Sequence, residues 1–171
     1  MLVLLLEITG NLEEFTQLDR TPDYNHQYDD VNSVIQDLCE VLQETGIVYF
    51  RVGGFGQDIW PVDVAIDLAT IIEQLPEVIS SISEEHYPFQ LDFYEQGVER
   101  RLTFEKEDKY IRVSCYSSTS WIPHPSSILL TKENILSQFL KLKNFYVQAV
   151  KIVCPKLSGS DLFTKWYETS F

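Results

Sequence analysis

Between residues 87 and 115 the apolar side chains of this chain recur at every second position, whereas on either side they recur every third or fourth. A segment with helical periodicity cannot present one dry face as a strand, nor the reverse, so this switch constrains the fold more than any other feature. Phe89, Leu91 and Phe93 alternate with Gln90, Asp92 and Tyr94. Glu95-Gln96-Gly97 then turns the chain, and Val98, Leu102 and Phe104 carry the pattern back. A second turn at 106–109 precedes Ile111, Val113 and Cys115. The spacing predicts a three-stranded antiparallel meander with one apolar face.

The flanking stretches read as helices. Val31, Val34, Ile35, Leu38, Val41 and Leu42 form one stripe, with Asp29 or Asp30 able to cap its start and Gly46 its stop. Ala65, Ile66, Ala69, Ile72 and Leu75 form the next, with Pro61 at its first turn and Pro76 expected to break or kink it before Val78, Ile79 and Ile82. Thr131 can cap a long helix from Ile135 to Val153, and Ser158 or Ser160 a last one carrying Leu162, Phe163, Trp166 and Tyr167. Short strands are expected at 47–50 and 128–130, and the polar stretch 10–30 as a loop with one helical turn. The opening Leu2–Leu6 run is too short for a membrane span, and no basic segment precedes it as in a signal peptide, so a buried strand is expected.

A chain of 171 residues suits one core. The pattern therefore predicts a single α+β domain over 1–171, with an antiparallel sheet of about four to six strands. Helices 30–45, 61–82 and 132–154 should pack mainly on one face of it.

That arrangement leaves the opposite sheet face open, and its residues follow from the alternation. Asp92, Tyr94, Arg101, Thr103, Arg112, Ser114 and Tyr116 belong to it. Opposite charges across strands stabilise such a face, and Tyr and Arg are enriched where proteins bind one another. The face is therefore either a solvated surface stitched by Arg–Asp pairs or a binding surface. The helix at 31–45 offers a second acidic stripe in Asp30, Asp37, Glu40 and Glu44.

Several motifs invite chemistry and are better read otherwise. Cys115 and His124 lie in CYSSTSWIPHP, but the thiol is in step with Ile111 and Val113 and the imidazole sits between Pro123 and Pro125. A nucleophile needs its base within hydrogen-bond reach, and a buried thiol is inert. Gly54-Phe55-Gly56 follows a strand, yet Ile59 stands where a dinucleotide fingerprint needs glycine. Asp23, His26, Asp29 and Asp30, and then Glu84, Glu85 and His86, cluster without calcium-loop spacing. No cofactor or metal is expected. Cys39, Cys115 and Cys154 are odd in number and widely spaced, as in a reducing cytoplasm.

Charge gives the hint about partners. The net charge is −13, and residues 1–100 carry 20 Asp/Glu against three Arg, while residues 101–171 carry ten Lys/Arg against six acids. A nucleic-acid binder needs a basic face, and an anionic membrane would repel this one, so neither partner is expected. Acidity aids solubility in itself; the sharper reading is a basic protein partner drawn in by long-range attraction.

Three blocks carry a resemblance: DLATIIEQLPEVISSI (67–82), FQLDFYEQGVERRLTFE (89–105) and SSTSWIPHP (117–125). In their order they resemble an uncharacterised family of small acidic bacterial proteins, of the type associated with immunity proteins of toxin systems. The similarity spans roughly residues 58–155. It implies a stoichiometric binder and supplies no catalytic residues. The expectation is thus a non-enzymatic acidic binding protein, an immunity-type inhibitor of a basic toxin, with Asp37, Glu40, Asp92, Tyr94, Arg101, Arg112 and Tyr116 as anchors. The alternatives are a small enzyme or ligand-binding domain with a cleft near Trp60, Trp121 and His124, and a homodimer pairing its open sheet faces.

Overall fold

The computed structural model describes residues 1–25 and 27–168. Its architecture is α+β, with six strands divided between two antiparallel sheets. Strands β3 (Phe89–Phe93), β4 (Arg100–Glu107), β5 (Tyr110–Ser117) and β6 (Ser127–Leu130) form a four-stranded meander in chain order. Strands β1 (Val3–Ile8) and β2 (Val48–Gly53) pair separately.

The apolar face of the meander is the one alternation predicts: Leu91, Phe93, Leu102, Phe104, Ile111, Val113 and Cys115 are all buried. Helices α2 (Ala69–Ser83) and α3 (Lys132–Val153) lie against the core on this side, and Phe104 meets Phe139 of α3 edge-on at 6.1 Å. The β4–β5 hairpin closes through Asp108-Lys109, with Asp108 in the left-handed region at φ 53°. Val98 belongs to the turn before β4 rather than to the strand, yet it is still buried.

Helix α1 (Val31–Glu44) starts at Asp30, whose carboxylate accepts from the Asn32 and Ser33 N–H groups, and it ends before Gly46 at φ 68°. Thr131 caps α3 in the same way. Pro155 opens a short turn, α4 (Pro155–Ser158), and Ser160 precedes α5 (Asp161–Glu168), accepting from the Phe163 N–H.

Four expectations are corrected. The opening run is not buried throughout: Leu2, Leu4 and Leu6 are, but Leu5 is 40% exposed, because β1 has only one dry face. Pro61 does not begin a helix; Asp63 caps a π-helical turn (Val64–Leu68) that feeds α2. Helix α2 runs unbroken through Pro76, since Leu75, Val78, Ile79 and Ile82 around it are all held in the core. The loop at 10–30 contains a seven-residue 3-10 helix, Leu12–Leu18, capped by Asn11. His26 lies outside the described residues. Among the described residues, no helix is long and apolar enough to cross a membrane.

Candidate functional site

The outer face of the meander gathers four of the predicted anchors around one hollow. Asp92 of β3 stands opposite Arg101 of β4, and Arg101 opposite Tyr116 of β5, so the three form a single cross-strand row. Arg101 Nε donates to Asp92 Oδ1 at 2.6 Å. Tyr94 projects beside them and its hydroxyl donates to Glu73 of α2. Burial and the Glu73 carboxylate both push the Tyr94 phenol above its ordinary value. Tyr116 is 65% exposed. The hollow, about 230 Å³, is completed by Phe93, Glu99, Arg100 and Ser118.

Arg112 stands apart from that row, four residues along β5 from Tyr116, and is paired with Glu107. The ion pair raises the guanidinium's value and lowers the carboxyl's.

Asp37 and Glu40 belong to α1, and their stripe is partly neutralised by the chain itself. Arg20 folds back from the preceding loop to reach Glu44 at 2.7 Å, Glu40 at 3.3 Å and Asp37 at 3.9 Å. Tyr24 OH donates to Asp37 Oδ2 at 2.7 Å. Desolvation first, and the Asp37 carboxylate second, push the Tyr24 phenol well above its usual range. Alternation and helical spacing identified these acids, but nothing local indicated that Arg20 would clamp them.

The same alternation contains a signal whose consequence is large. Arg100 shares parity with Leu102 and Phe104, so its side chain enters the apolar face. It is only 4% exposed. Its guanidinium packs against two indoles, 4.3 Å from the Trp60 ring centre and 3.7 Å from that of Trp121. Nη2 donates to Gln57 Oε1 at 2.7 Å, while Nε and Nη1 have no acceptor among the described residues. Burial lowers the guanidinium's value. The guanidinium thus packs against both Trp60 and Trp121, whose rings meet each other at 6.0 Å, and Trp60 itself is 1% exposed.

Cys115 is buried near this group, and burial pushes its thiol up to about 11 despite the opposing effect of Arg100. The ring of His124 is exposed, and its backbone N–H donates to the Phe55 carbonyl at 2.8 Å. Gly56 makes that docking fit: at φ +87° a Cβ there would meet the His124 carbonyl oxygen at 2.3 Å. Gly56 therefore seats the 121–125 loop, whereas Gly54 lies against the chain start, where a Cβ would meet the Met1 carbonyl oxygen at 2.8 Å.

The acidic clusters have local duties. Asp30 caps α1, Asp29 accepts from the Asn25 N–H, and Glu85 binds Lys106 and Lys132. Those two lysines hold the Glu85 carboxyl below its ordinary value. Among the described residues no group of three or more His, Cys, Asp or Glu is arranged to hold a metal ion.

Comparison with protein-family models, with curated proteins and with solved structures finds no match for this chain.

Proposed function

We propose that this chain is a non-enzymatic binding protein for a basic protein partner, most concretely an immunity-type inhibitor of a basic bacterial toxin. The observation that carries the reading is the row Asp92–Arg101–Tyr116 with Tyr94 beside it. Two exposed aromatic side chains lie beside a charged pair at one end of the sheet, and interface anchors are commonly built from such residues. The net charge of −13 supplies the long-range attraction that brings a cationic partner to such a surface. The resemblance to small acidic bacterial proteins points the same way. A cytoplasmic setting is part of the proposal, in keeping with three buried free thiols.

The test is capture from the native host at low ionic strength, with the wild type and Tyr94→Ala/Tyr116→Ala as parallel baits. The expected result is a basic protein held by the wild type, released as salt rises, and bound at least about tenfold more weakly by the double variant. If no basic protein is retained at low salt, the proposal fails. Equal retention by both baits removes the sheet face from it.

A further inference from the structure

The second sheet carries a surface of a different kind, independent of the one just described. In an antiparallel pair, alternate residues direct both backbone groups toward the partner strand and the others turn theirs away. The β1–β2 register aligns Val3 with Gly53 and Ile8 with Val48, and Thr9 N–H donates to the Ile47 carbonyl at 2.9 Å. Val3, Leu5 and Glu7 therefore bond to β2, while Leu2, Leu4 and Leu6 turn their N–H and C=O groups to the other edge. Gln138 of α3 marks that direction by donating to the Leu2 carbonyl at 2.8 Å. Leu4 and Leu6 receive no such partner among the described residues, and β1 has no second strand beside it.

A hollow of about 230 Å³ lies along this edge. It touches residues 3 to 6 of β1 consecutively, and Gln138, Lys141, Leu142 and Phe145 of α3. Neighbouring side chains of a strand point to opposite faces, so a hollow meeting four in succession must follow the backbone edge. Its floor is apolar, with Phe145 49% exposed, and its one charged group is Lys141. Among the described residues no carboxylate lies within ion-pair distance of that ammonium group. Residues 3 to 6 contain no charge or proline, the devices that ordinarily protect an edge.

What such a place accepts is another backbone with donors and acceptors at strand spacing. Side chains pointing toward α3 would meet Leu142 and Phe145 and must be apolar, and one beside Lys141 is best matched by a carboxylate. A second copy fits poorly. Twofold pairing of β1 strands would bring a second α3 to the floor the first already occupies, and two chains of charge −13 repel. We propose that the open edge of β1 binds an extended segment of a partner protein, apolar at alternate positions and carrying a carboxylate, as a third strand of this sheet.

The probe is the blocked heptapeptide TVTVTET, whose valines and glutamate share one face, with two versions N-methylated at alternate amides of opposite parity. The unmodified peptide, at about 1 mM, is expected to slow amide exchange at Leu4 and Leu6 about tenfold and leave Leu5 within about twofold. One methylated version should bind and the other should not, because only one set of amides faces β1. Lys141→Glu, an exposed change, should weaken binding about threefold to tenfold. Equal binding of both methylated versions overturns the proposal, and so does unchanged exchange at Leu4 and Leu6. Protection that appears with protein concentration alone, without peptide, also overturns it and makes a second copy the occupant.

Discussion

Along β3, the side-chain amide of Gln74 donates to the Asp92 carbonyl at 2.8 Å and accepts from the Asp92 N–H at 2.9 Å. Along β1, Gln138 reaches only the Leu2 carbonyl, leaving Leu4 and Leu6 facing an apolar hollow. One helix side chain imitates a strand at a single residue, meeting both outward backbone groups of Asp92; the other meets one carbonyl only. The outer faces differ in the same sense. Ion pairs Asp92–Arg101 and Glu107–Arg112 cover the larger one, whereas exposed Leu5 lies beside the Glu7–Arg51 pair on the smaller. The availability of a strand edge is thus decided by what the neighbouring helix offers, more than by the strand's own sequence.

The largest test concerns how the end of the large sheet is closed. Arg100→Ala removes a side chain packed against two indoles and strands the Gln57 amide, and should cost about 3–4 kcal/mol in urea unfolding. Arg100→Met keeps the volume without burying a charge, and should cost less than about 1 kcal/mol. Equal losses in the two variants would mean that the charge, rather than the filling, closes this end.

The approach to α2, the helix that carries Gln74, supplies the next. Asp67 is buried in the π-helical turn, one oxygen accepting from the Asp63 N–H and the other with no partner among the described residues. Burial pushes its carboxyl up to about 6 from the ordinary 3.8. The folded chain therefore holds a proton there that the unfolded chain gives up. Stability from this group is complete below about pH 4 and lost as pH rises through about 6. Asp67→Asn should accordingly be more stable than the wild type by on the order of 2 kcal/mol at pH 7, with the gap closing near pH 4. Equilibrium unfolding of both proteins across that range measures it, and a gap independent of pH would rule out this titration.

Gln74→Ala should make β3 resemble β1. The expected loss is about 1–2 kcal/mol, with faster amide exchange at Asp92. Unchanged exchange there would break the contrast between the two edges. Arg101→Ala should change stability by less than about 0.5 kcal/mol, because exposed ion pairs contribute little. A larger loss would assign the Asp92–Arg101 pair to the fold rather than to a surface free to bind.

The parts that could be read in the chain are those whose cause is local. Alternation sorted the two faces of the meander, side-chain oxygens at Asp30 and Thr131 marked helix starts, and the in-step position of Cys115 placed it in the core. The same rule applied one residue earlier in β4 puts Arg100 inside, against the general preference of arginine for solvent. Only Trp60, Trp121 and Gln57, brought from two other segments, make that position tolerable. The anchors Asp37 and Glu40 were visible as helix-spaced acids, but Arg20 and Tyr24 reach them from an irregular loop with no period to follow.

By itself the sequence determined the strands of the meander, the helices α1 and α3 and which face of each is dry, because hydrophobic period and capping act within a few residues of one another. Tertiary structure alone decided that six strands divide into two sheets, that Gln74 meets Asp92 at one edge while Leu4 and Leu6 face a hollow at another, and that a guanidinium packs against two indoles. Each of these joins residues far apart in the chain. No local pattern encodes such a pairing, which is selected only when the whole core is packed and every buried polar group competes for the partners left within reach.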